Sequence, residues 1–104
     1  MIFMIFKSHK AVGFLLENGK VATMRDYHYR VNQTIYVQMP EGTSRRTIAK
    51  AKIEKVVLNN TMNRIKYFDI SGFGSPEEWL EEAIRLNKKI PRYIIILKLI
   101  KKYI

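Results

Sequence analysis

At 104 residues, 47% of them hydrophobic and 27% charged, the chain has the length and composition of one folded domain, residues 1–104, which excludes a second core and a disordered polyelectrolyte. With no cysteine, disulfides and thiolate metal sites are excluded; His9 and His28 alone would leave a zinc site dependent on carboxylates, so neither a metal nor a cofactor is expected. A formal net charge of +10 is large for this size and calls for a polyanionic partner, for which nucleic acid is the first expectation.

That charge is segregated. Residues 1–43 carry a net +2, 44–66 carry +6, 67–82 carry −5 and 83–104 carry +7. A lysine-rich solvated surface is the alternative reading, and the isoleucine and lysine content would also suit a thermophile. The opening run Met1–Phe6 is too short for a membrane span of about 20 residues and has no small-residue cleavage site, so no membrane partner and a cytoplasmic location are expected.

In chain order, Ile2–Phe6 reads as a buried strand. Ser8 then caps a helix whose apolar face holds Ala11, Phe14 and Leu15, and Asn18-Gly19 stops it, because glycine enters the left-handed conformation at no steric cost. Lys20–Arg25 is a short polar strand. Alternation puts Thr23 and Arg25 on one side with Val21, and Lys20, Ala22 and Met24 on the other, with Lys20 able to curl towards Thr23 if the chain bends at Gly19. Asp26–Asn32 is a loop carrying Tyr27, His28 and Tyr29, and Thr34–Met39 is the next strand.

After a turn at Pro40-Glu41-Gly42, Arg46–Leu58 forms a long strand in which Ala49, Ala51 and Ile53 oppose Lys50, Lys52 and Glu54. The alternation breaks at Val56-Val57, which predicts a bulge or a change of face there. Asn59–Tyr67 has no clear period beyond a helical turn under Met62 and Ile65. Ser75-Pro76-Glu77-Glu78 is a capping box with proline at the first helical position, so a helix starts at Pro76, with Trp79 on its buried stripe. Tyr93–Ile100, apolar on both faces, is the last and central strand. The order specifies an α+β fold: five to six strands curled into a small mixed β-barrel with two flanking helices.

Several of these features together resemble the ASCH domain of the PUA-like superfamily. The similarity is carried by Asn18-Gly19-Lys20-Val21-Ala22-Thr23-Met24-Arg25, the strand Gln33–Val37, the long strand Ile48–Val57, and Ser71-Gly72-Phe73-Gly74-Ser75 ahead of the acidic helix. The resemblance implies a barrel with a cleft for RNA or a modified base, lined here by Lys20, Thr23, Arg25 and Ser71. One branch of the family, small amidohydrolases acting on N4-acetylcytidine, uses a lysine, a threonine and a glutamate. Lys20 and Thr23 match the first two; Ser71 stands where the glutamate is expected, with Asp69 two residues earlier.

Two functions follow. In the first, the chain is an RNA-binding or other nucleic-acid-binding module: Arg45, Arg46, Lys50 and Lys52 meet phosphates, and Tyr27 or His28 stacks on an unpaired base. In the second, Lys20 acts as base and Thr23 as nucleophile, with Asp69 as the acid, in hydrolysis of an acylated nucleoside or of RNA. The first accounts for the charge as well as the motif, because a free nucleoside is uncharged.

Overall fold

Local capping chemistry sets the helix ends. A computed structural model describes residues 1–104. In it the Ser8 hydroxyl accepts from the Ala11 amide and opens α1 (His9–Asn18), which Gly19 closes at φ 77°. The Asn60 side chain accepts from the Asn63 amide at 2.8 Å to start α2 (Thr61–Tyr67), and a 3-10 turn follows at Phe68–Ile70. Ser75 accepts from the Glu78 amide at 3.0 Å and Pro76 begins α3 (Pro76–Asn87). The serine half of the capping box forms, while the Glu78 carboxylate pairs with Lys10 and reaches back to the Gly74 amide rather than to that of Ser75. The fold thus has three helices where the sequence suggested two, the extra one being α2.

The strands are β1 (Phe3–Ile5), β2 (Lys20–Arg25), β3 (Thr34–Glu41), β4 (Ser44–Leu58) and β5 (Tyr93–Lys102). They form one sheet in the order β1-β3-β4-β5-β2, with β1 parallel to β3 and every other pair antiparallel. Register shifts curl it: Ile48 is extra against β3, Glu54 is extra against β5, and Ile100 is extra against β4. The bulge expected at Val56-Val57 therefore lies at Glu54, two residues earlier. The result is a half-barrel with no hydrogen-bonded pairing between β1 and β2, rather than a closed one.

Two cores flank the sheet. Inside the curl, Leu15 and Val12 of α1 pack on Val21, Ile35, Ile53 and Leu97. Outside, Trp79 and Ala83 of α3 pack on Ala22, Met24, Ile94 and Ile96. β5 contributes to both, Ile95 and Leu97 inwards and Ile94 and Ile96 outwards, which is why it reads as one continuous apolar run. Trp79 is 3% exposed, a core residue as expected. No helix is long and apolar enough to cross a membrane.

Two ties outside the sheet fix the loops. Gly72, at φ 89°, lies so close to α1 that a Cβ would sit 2.5 Å from the Lys10 carbonyl oxygen. Asp26, just past β2, accepts from the Arg92 amide at 3.1 Å and from its Nε at 3.0 Å, and pairs with Lys89 at 2.7 Å, binding the end of β2 to the approach of β5. Gly72→Ala meets both a disfavoured φ and a backbone clash, and should destabilise by about 2 kcal/mol or more, read as a lower urea midpoint. The Lys89 ammonium, and then the Arg92 guanidinium, hold the Asp26 carboxyl down to about 2, from an ordinary 3.8. The stabilisation is fully present above that ordinary value and is lost as pH falls through about 2. Thermal melts between about pH 4 and pH 2 should accordingly fall more steeply for the wild type than for Asp26→Asn.

Candidate functional site

Where β1 and β2 face each other without pairing, the curl leaves a cavity of about 390 Å³. Its apolar wall includes Phe6, Met24, Phe73 and Trp79, and its polar groups include Thr23, Arg25, Arg45 and Asn87. The volume falls in the range of small-ligand sites. Arg25 ends β2 and spans the seam. Its Nε donates to Thr23 Oγ1 at 3.1 Å, its Nη1 donates to the Ile5 carbonyl at 2.6 Å, and its guanidinium lies 4.5 Å from the centre of the Phe6 ring. Loss of water pushes the Arg25 pKa down to about 10, with nearby Tyr29 acting weakly in the other direction, so the group remains a cation at neutral pH. Burial in turn raises the Tyr29 phenol.

Arg45 enters from the β3–β4 hairpin, where it is paired in register with Pro40, another wall residue. Neither Arg25 nor Arg45 has a carboxylate partner. Glu82 is the one carboxylate of the wall, and it is engaged by Arg85, which lowers its pKa. The lining therefore presents cationic donors beside the half-buried Phe73 ring, a chemistry suited to a molecule bearing negative charge.

Thr23 and Arg25 come together as the strand alternation requires. Lys20 does not join them: it lies on the opposite face of β2, and its amine pairs with Glu54 at 2.9 Å. Ser71 is fully buried outside the cavity, its hydroxyl donating to the Phe68 carbonyl at 2.6 Å and accepting from the Phe73 amide at 3.1 Å, so it staples a loop. Asp69 is exposed on the 3-10 turn and does not line the cavity. Lys20, Thr23 and Asp69 are thus not assembled around one substrate position. The hydrogen-bond donor held by Thr23 is a cation, which accepts no proton from its hydroxyl.

Of the residues expected to meet nucleic acid, Arg45 reaches the cavity and Arg46 is exposed beside it on the hairpin. Lys50 and Lys52 lie on the outer face of β4, opposite the buried Ala49, Ala51 and Ile53. Tyr27 is 65% exposed, edge-on to Tyr29 at 4.8 Å, and His28 is edge-on to Tyr93 at 4.9 Å; neither lines the cavity. Sequence reasoning missed Phe6 and Asn87 as wall residues. Nothing in local spacing signals them, since both reach the cavity only through the curl of the sheet.

Fold and site together define a small α+β half-barrel with an arginine-lined seam cavity. No protein-family model matches the chain. It is 39% identical over 104 residues to Uncharacterized protein 105 of Sulfolobus islandicus rod-shaped virus 1, an alignment spanning 92% of this chain and 91% of that protein, and it belongs to the same family.

Arg25→Met keeps much of the side-chain reach but removes both donors, the one that crosses the seam to Ile5 and the one to Thr23 on its own strand. It should lower unfolding free energy by about 2 kcal/mol, measured by denaturant titration, with the fold retained in circular dichroism.

Proposed function

We propose that the protein is an ASCH-like nucleic-acid-binding domain whose seam cavity receives an unpaired nucleotide of RNA. The observation that carries this reading is the convergence of Arg25 and Arg45, both free of carboxylates, on one cavity. A guanidinium that has lost water and lacks a protein anion gains most from an anionic ligand, and a phosphate offers it paired acceptors. The half-buried Phe73 ring in the wall offers a surface for the flat face of a base, and a base that enters a cavity must be unpaired. The net charge of +10 supplies long-range attraction of the same sign.

The assay is fluorescence anisotropy with a labelled single-stranded RNA at several salt concentrations. Affinity should fall steeply with salt for the wild type. Arg45→Glu, an exposed change outside both cores, should weaken binding to all sequences alike and reduce the salt slope by about 1. A wild-type protein that binds no oligonucleotide in dilute buffer overturns the proposal.

A further inference from the structure

The helices cover only part of the sheet's outer face. α3 lies over Ala22, Met24, Ile94 and Ile96, and beyond Ile96 the same face is bare. There the register lays out two rows across the strands. One runs Thr34, Lys52, Lys98, Lys20 over β3, β4, β5 and β2. The other runs Phe3, Tyr36, Lys50, Lys101 over β1, β3, β4 and β5. With strands about 4.8 Å apart, each row is roughly 14 Å long.

Lysines directly opposite one another repel, so a row that sets Lys52, Lys98 and Lys20 abreast costs stability. Only Lys20 is offset by a carboxylate, Glu54; Lys50, Lys52, Lys98 and Lys101 have none. The second row ends in an aromatic pair, Phe3 and Tyr36, with ring centres 6.1 Å apart and Phe3 44% exposed. Cations beside exposed rings form the combination that holds single strands, the lysines on phosphates and the rings under bases. A duplex keeps its bases stacked inside and cannot use the rings.

We propose that this bare outer face is a second nucleic-acid surface, selective for single strands, with Phe3 and Tyr36 as the stacking platform and Lys50, Lys52, Lys98 and Lys101 as the phosphate contacts. The proposal rests on the nucleic-acid reading above but uses a surface separate from the seam cavity. Its substrate class is an unstructured oligonucleotide long enough to cross the sheet.

The test compares binding of a labelled 15-nucleotide oligo(U), of a duplex of equal length and of anionic phospholipid vesicles to full-length protein. The proposal expects oligo(U) to bind tightest. Phe3→Ala should weaken oligo(U) binding by roughly 5- to 150-fold, and the double variant Lys52→Gln, Lys98→Gln should lower the salt slope by about 1.4. Because the double variant removes repulsion, its melting temperature should match or exceed the wild type, which separates lost binding from lost folding. The surface is overturned if both variants bind oligo(U) like the wild type while Arg45→Glu does not, or if duplex or vesicles bind as tightly as oligo(U). Loss of all oligonucleotide binding by the wild type would instead remove the parent reading.

Discussion

One guanidinium holds this half-barrel to its shape. β1 and β2 are the two ends of the sheet, and each has one side without a strand partner. Had they paired directly, the sheet would have closed and the space between them would have filled with backbone. Arg25 bridges them instead, donating to a carbonyl at the end of β1 and to a hydroxyl on its own strand, while the Phe6 ring lies against its charge. The edges are thereby held together and held apart. The same group that laces the seam lines the cavity, and its Nη2 makes no hydrogen bond within the protein. Bridging the seam and lining the cavity fall to one side chain, so the contact that ties the edges also gives the cavity positive charge.

The rest of the architecture follows from β5 having two buried faces. An ordinary antiparallel strand packs one face and wets the other, but Ile94 to Leu97 feed two cores in alternation. This requires α3 on the outside, and the Ser75–Pro76 start, with Gly72 pressed on α1, places that helix where the sheet is most apolar. After Leu97 the same strand turns to Lys98, Lys101 and Lys102, and the helical cover ends with the apolar run. The boundary between the covered and bare halves of the outer face is therefore written along a single strand.

Helix ends were legible because capping is local chemistry: Ser8, Gly19 and Ser75 each act within four residues. α2 was not, because Met62 and Ile65 are 80% and 60% exposed and no buried stripe marks it; its start depends on the Asn60 cap and on Arg64 donating to Asn59. The bulge was read two residues late, since alternation along one strand changes face only after the extra residue has passed, whereas its position is fixed by the partner strand. In the site, the spacing of Thr23 and Arg25 was sufficient to bring them together. The same alternation put Lys20 on the other face of β2, where it lies, but its partner there, Glu54, sits at the bulge of another strand and was invisible to any count along β2. Lys98 and Lys101 join Lys52 and Lys50 only through register between segments more than forty residues apart.

Charge segregation along the chain need not survive folding, since an acidic segment can fold over a basic one. Here it survives because the acidic residues of α3 that make ion pairs make them away from the outer sheet face: Glu78 pairs with Lys10 at the start of α1, and Glu82 pairs with Arg85 on its own helix. These pairs are exposed and contribute little to stability, but they neutralise both partners within their own neighbourhood. The carboxylate that does reach the lysine rows is Glu54, and it meets one lysine at their edge. A fold selected for stability alone would have turned one of the helical acids towards Lys98, where each neighbour across the sheet is another lysine. That it pairs its acids elsewhere leaves Lys50, Lys52, Lys98 and Lys101 on the bare face without a carboxylate partner.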